Sequence, residues 1–430
     1  MRIAVVGAGP AGLVSLYTIQ KRLLASEDCD HVDVVCFERK DHVGGEWYFS
    51  DQEDSSTYEG LRMNTPRPFT DLHIDYPWPF ATKTFPSREE FLKYINMFAE
   101  EFDLKRYIQF NKSVDIVMQN KSTGLFDVKV SETGNRSNTS TQSFDFVLMC
   151  SGQHRKLVIP NLELSADFDG EILHYHDLDD PSRFFGKRVL VIGSSFAAMD
   201  LEIILAKKCQ KFYLSWRKHT PFWFEPNEAN RSGRVTIVKP KVIEAFGNTV
   251  TFADNSQAEV DAIIYATGFH QAHPLTGDLD LDFNQIPCLF PIYKHVVHPS
   301  HTKLFFVGKA YAHIIPLLRL QAEFACAVIG GKVQLPSEEE MQLEISKFND
   351  KWIPELMKEN DYTKYCPVLH LEVEIANDIA ESIKCEPIRP YTTKLFYASF
   401  RIMRENCFEF RNRQLKKDWE KIELDDGIFE

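Results

Sequence analysis

Short, continuous apolar runs recur along the chain, and several of them close on glycine. Such runs predict strands buried on both faces of parallel sheets. Ile3 to Val6 is the first, and beyond Gly7-Ala8-Gly9-Pro10-Ala11-Gly12 the apolar positions recur at helical spacing from Leu13 to about Leu24. Asp33 to Phe37 reads as a second strand with Glu38 at its end, and Phe144 to Met149 as a third, closing on Cys150-Ser151-Gly152. Ser87, with acids in the turn after it, predicts a capped helix whose apolar face carries Phe91, Tyr94, Phe98 and Phe102. Asp75 to Phe80 is broken by prolines and is expected to be extended. The pattern is strand-like from Ile108 to Val130, whereas Ser131 to Ser143 is polar throughout and is expected to be an inserted loop.

The second half repeats the first. Arg188 to Ile192 meets Gly193, a helix is expected from about Ala197 to Lys207, and Lys211 to Ser215 is the partner strand. Asp261 to Phe269 closes this unit as Phe146 to Gly152 closes the other, and Lys303 to Gly308 supplies a last strand before a mostly helical tail that includes Glu338 to Lys351. The expected class is α/β with two Rossmann-like dinucleotide-binding domains. One is discontinuous, residues 1–165 plus 270–430 with a helical tail from about 337; the other spans 166–269.

The glycines of the first turn have separate reasons to be there. Gly7 permits a tight strand-to-helix turn, Gly9 lets a pyrophosphate approach the backbone, and Gly12 lets helix and strand pack closely. Phosphates would sit on the open amides of the helix N-terminus. Glu38 is placed to accept from a ribose hydroxyl. The second unit ends its partner strand with Arg217-Lys218 in place of an acid, which suits a 2′-phosphate and so NADPH. Paired glycines and an aromatic, Gly44-Gly45-Glu46-Trp47, would let the backbone pass under a flavin.

Composition narrows the remaining choices. A net charge of −13 over 430 residues argues against nucleic acid or an anionic membrane surface as partner. The nine cysteines contain no C-x-x-C pair, which leaves a metal cluster, a dithiol and a disulfide framework unsupported and fits a reducing, cytoplasmic setting. Ile314 to Ile329 carries Arg319, Gln321 and Glu323 and makes a poor membrane span. Sequons at Asn111, Asn120, Asn135, Asn138 and Asn230 leave a secreted form, with its signal removed, open.

These signposts, with Leu61 and Asn64, the stretch Phe168 to His174, Ala266 to Phe269, Tyr293 to His295 and Leu320-Gln321-Ala322, resemble the flavin-containing monooxygenases over nearly the whole chain. The resemblance implies that NADPH reduces FAD and that NADP⁺ stays bound while dioxygen adds to the flavin as a C4a-hydroperoxide. A soft nitrogen or sulfur nucleophile then takes the distal oxygen. It places FAD against Gly7, Gly9, Pro10, Ala11, Gly12, Glu38, Gly45, Glu46, Trp47, Asn64, Thr65 and Gln321. NADPH falls to Met63, Asn64, Gly193, Ser194, Ser195, Ala197, Ala198, Asp200, Arg217 and Lys218, with Asn64 as the catalytic residue and no metal. Expected partners are a small nucleophilic substrate and O₂; a homodimer is left open. Two departures stand out: Ser195 where a second glycine is usual, and Leu178 where Baeyer–Villiger relatives carry tryptophan. A Baeyer–Villiger oxygenase, a peroxide-releasing oxidase and a non-catalytic nucleotide sensor are the competing readings.

Overall fold

A computed structural model describes residues 1–26, 31–49, 57–58, 60–80, 82–152, 156–160, 163–216, 236–270, 279, 281, 288–312, 314–358, 366–423 and 427–430. Two five-stranded parallel sheets organise it, as the apolar runs predict. In the first the spatial order is Leu304–Phe306, Phe146–Met149, Arg2–Val6, Asp33–Phe37, Ile108–Gln109. The second runs Glu171–His174, Ala262–Tyr265, Arg188–Ile192, Lys211–Ser215, Thr236–Lys239. Each has its glycine-turn strand in the centre. The two differ at one edge: Leu304–Phe306 enters the first sheet late in the chain, whereas Glu171–His174 enters the second before its glycine turn.

The helix after the first turn, Pro10–Ile19, loosens into a π-helical turn over Gln20–Leu24, close to the expected end of the helix. It packs with Ile314–Ile329 in the main core. Ser87 caps Arg88–Glu101 with a reciprocal box: its side chain accepts from the Glu90 amide and Glu90 accepts from the Ser87 amide. Helices Glu338–Met357, Pro367–Ile383 and Tyr391–Glu405 make up the expected helical tail. Among the described residues, no helix is long and apolar enough to cross a membrane.

The polar stretch expected to be a loop is a strand. Asn135–Phe144 pairs antiparallel with Phe126–Glu132, which pairs in turn with Lys112–Gln119. Most of its side chains are exposed, and only Phe144 is buried. An outer strand needs only the neighbour's amides and carbonyls, so it can form with no apolar alternation to announce it.

Candidate functional site

A cavity of about 1010 Å³ lies at the C-terminal ends of both parallel sheets, where open α/β folds bind ligands. It reaches from Gly9, Pro10 and Ala11 of the first turn to Gly193, Ser194, Ser195 and Ala197 of the second. Glu38, Gly45, Glu46, Trp47, Met63, Asn64, Thr65 and Asp200 border it as well. This is at the upper end of the volume usual for one small-molecule pocket, roughly 300–1,000 Å³.

The first turn is built as the glycine spacing requires. Gly7 has φ +102°, and a Cβ on Gly12 would lie 1.8 Å from the Gly7 carbonyl oxygen. Gly7, half-buried, and Gly12, buried, are therefore packing positions behind the cavity. Gly9 and Gly45 form the contact surface, with a Gly45 Cβ only 3.1 Å from Gly9 Cα. Glu38 is buried; one of its oxygens accepts from the Ala8 amide at 2.7 Å and the other from the Lys40 amide at 2.9 Å. Each carboxylate oxygen keeps a second lone pair, so a sugar hydroxyl can still be accepted. Gly9 caps its helix without a side-chain bond, which leaves the first-turn amides open to an anion. The open cradle, the buried acid and the helix terminus fit the adenine-dinucleotide half of FAD.

The second turn copies the first with two changes. The Gly193 amide donates to the Ser215 carbonyl as the Gly7 amide donates to that of Phe37, both at 2.9 Å. A Cβ on Gly193 would meet the Ala266 oxygen at 2.2 Å, as one on Gly7 would meet the Cys150 oxygen at 2.8 Å. Ser195 has φ −95° and ψ −168°, close to the φ −75° and ψ −173° of Gly9. This is extended backbone that any residue adopts, so the serine is accommodated without strain. Its side chain is exposed at the cavity and makes no capping bond. Ala198 is buried where the first turn has Gly12 and does not border the cavity. Arg217 and Lys218 lie outside the described residues.

Gln321 stands apart from the cavity. Its oxygen accepts from the Gly308 amide at 2.8 Å, and its nitrogen donates to the carbonyls of Lys309 (3.0 Å) and His295 (3.1 Å). It braces the loop at Gly308, which does border the cavity. His174 is buried, and its Nδ1 accepts from the His176 amide at 3.2 Å. Burial holds its pKa down near 4, so it is a neutral structural side chain. Leu178 is buried in the core of the second sheet.

Three residues in or beside the site carry no sequence signal. Tyr58 donates to Asp200 Oδ2 at 2.6 Å, and burial pushes its phenol well above the usual range. Tyr175 borders the cavity near Glu46 and Asp200. Arg411, from a short turn at Phe410–Asn412, donates to Asp200 Oδ1 at 2.5 Å and to Asn64 Oδ1. It is distant in sequence from both acceptors, and no local pattern could have paired them.

The profile of the flavin-binding monooxygenase-like family matches residues 1–224 and 226–405. The chain belongs to this family. It is a flavin-dependent monooxygenase with the two-dinucleotide fold expected from its sequence. A trimethylamine monooxygenase of Pelagibacter ubique (strain HTCC1002) is 30% identical over 362 residues, covering 81% of this chain and 79% of its own length. A senecionine N-oxygenase of Tyria jacobaeae is 29% identical over 350 residues, covering 79% and 74%. The structure of an S-allyl-L-cysteine S-oxygenase from Allium sativum superimposes with a TM-score of 0.81 at 24% identity, covering 96% of this chain and 94% of that one.

Proposed function

We propose that this flavin monooxygenase uses NADPH and O₂ to convert small amines or thioethers to N-oxides or S-oxides. The balance is substrate, O₂, NADPH and H⁺ giving oxidised substrate, H₂O and NADP⁺. One observation carries the reading: a single cavity joins both glycine turns, with Asn64 on its wall. The flavin, when bound, supplies the oxygen activation, so the protein needs no strong acid or base of its own. The chain's residues bind, orient and exclude water. Gly9, Gly45 and Glu38 would hold the FAD phosphates and ribose, and Gly193 to Ala197 those of NADPH. Asn64 would offer its amide at the reacting end. The names of the relatives support a soft nitrogen or sulfur nucleophile.

On this reading residues 1–165 with 270–430 form the FAD domain and 166–269 the NADPH domain. Dispersed free thiols, among them Cys36, Cys150 and Cys326, support a reducing, cytoplasmic setting. Arg217 and Lys218 would take the 2′-phosphate of NADPH.

The test follows NADPH oxidation together with product, supplying a tertiary amine and then a thioether. Stoichiometric N-oxide or S-oxide supports the proposal; NADPH consumption that yields only peroxide with every substrate overturns it. Arg217→Ala should raise KM for NADPH at least tenfold and leave NADH nearly unaffected. An equal loss with both coenzymes would remove the 2′-phosphate assignment.

A further inference from the structure

The geometry points to Arg411 as a positioning residue: it fixes which way the Asn64 amide faces and ties that orientation to the helix behind the second glycine turn. This rests on the oxygenase reading above. Arg411 makes both contacts through one nitrogen. Nη2 has two hydrogens; one goes to Asn64 Oδ1 and the other to Asp200 Oδ1. A guanidinium has donors only, so the Asn64 atom that meets it must be the carbonyl oxygen. The NH₂ of Asn64 is then turned away from Arg411. No described residue accepts from that NH₂, and Asn64 borders the cavity. The amide thus enters the cavity as a donor, with its flip decided by a neighbour that cannot change role.

The hold on Arg411 comes from both sides of the cavity. Asp200 sits on Phe196–Leu205, the helix that starts at the second turn, and its other oxygen accepts from Tyr58. The Arg411–Asp200 pair is nearly buried, with side-chain exposures of 11% and 5%. Charge-assisted bonds in such a setting are among the stronger ones available to side chains. Arg62, two residues before Asn64, clamps the same segment: Nη1 donates to Asn412 Oδ1 at 2.9 Å and Nη2 to the Arg411 carbonyl. Residues 62–64 and 411–412 therefore grip each other reciprocally. A displacement of the second turn's helix would pull on Asp200, then on Arg411, and release the Asn64 amide.

The expected consequence is uncoupling: without Arg411 the amide can flip, and more of the NADPH consumed would go to reducing O₂ to H₂O₂ in place of oxidising substrate. The experiment measures peroxide released per NADPH consumed for wild type, Arg411→Met, Asn64→Ala and the double variant, each with a tertiary amine present. Arg411→Met should raise the ratio at least fivefold in the wild-type background and change it less than twofold in the Asn64→Ala background. In the apoproteins, the two substitutions should be non-additive in the unfolding equilibrium constant by about tenfold. Should Arg411→Met fail to hold flavin, Arg411→Lys enters the same cycle; it keeps the charge beside Asp200 but loses the planar fork, and an intermediate ratio is expected. Equal effects of the Arg411 variant in both backgrounds would make the residue merely structural and overturn the inference. A wild-type protein that forms no oxide would sink the oxygenase reading itself, a separate outcome.

Discussion

Glu38 Oε2 accepts the Ala8 amide at 2.7 Å, so the acid at the end of the second strand also holds the glycine turn of the first. The two functions are separable by substitution. Glu38→Gln replaces one acceptor with an NH₂ donor, and either Ala8 or Lys40 then loses its partner. A buried amide left so costs about 1–3 kcal/mol. Loss of a charged acceptor for the ribose should weaken FAD binding by roughly 10–100-fold. Flavin titration of the apoprotein, with urea midpoints alongside, distinguishes the two effects.

Gly12 and Ala198 occupy matching positions, and the reciprocal swaps there should differ sharply in cost. Gly12→Ala drives a Cβ to within 1.8 Å of the Gly7 oxygen, a backbone collision that no rotamer relieves. The variant should lose stability by about 3 kcal/mol or more and purify without flavin. Ala198→Gly should cost only about 1 kcal/mol, the ordinary helix penalty, with little change in KM for NADPH. Thermal melts and flavin content per chain check both.

Glu372, buried on the helix Pro367–Ile383, accepts the amides of Tyr311 and of Ala312 (2.9 Å) where they border the cavity. A glutamine can accept at only one oxygen. Glu372→Gln should cost about 1–3 kcal/mol. Because the loop it holds lines the cavity, KM for the amine should rise while flavin content stays at the wild-type level. An unchanged KM would detach this loop from the substrate side.

Stability should fall as pH drops from about 6.5 to 4, above the range of ordinary carboxylates. Burial holds His73, His174 and His298 near pKa 4 and His295 near 3. In this window the unfolded chain takes up protons that the folded chain refuses, and each histidine contributes a loss of up to about 1.4 kcal/mol per pH unit. Asp71 acts in the opposite sense. Burial pushes its carboxyl up to about 7 despite Arg389 at 3.9 Å, so the folded chain holds a proton that the unfolded chain lacks. It offsets roughly one histidine, and Asp71→Asn should steepen the fall. Urea midpoints across the window decide it; a flat profile would mean that these rings are solvated.

Much of the fold was legible because its signals are local. A buried parallel strand is an apolar run, and the first turn needs glycine at Gly7 and Gly12 because a Cβ there would collide with neighbouring backbone. Ser87 and Glu90 announce their capping box within a single turn. Asn135–Phe144 was illegible because its pairing is a backbone matter and its side chains face water. The site divides along the same line. Glycines, Glu38, Asn64 and Asp200 sit in motifs, whereas Tyr58 and Arg411 join Asp200 in one nearly buried cluster only after three distant segments converge. Gln321 carried a motif signal, yet its contacts are all to backbone. Sequence matching marks a conserved-looking position without saying what the side chain touches.

The differing edge strands bear on synthesis. All five strands of the second sheet have left the ribosome once Tyr265 emerges, but the first sheet waits for Leu304–Phe306. Until then Phe146–Met149 has an open flank, the kind of edge that pairs with stray chains. The part of the molecule begun first is thus completed last, and the contiguous second sheet can be folded before the first can close. A chain stopped near residue 270 would carry one finished sheet and one with an adhesive border.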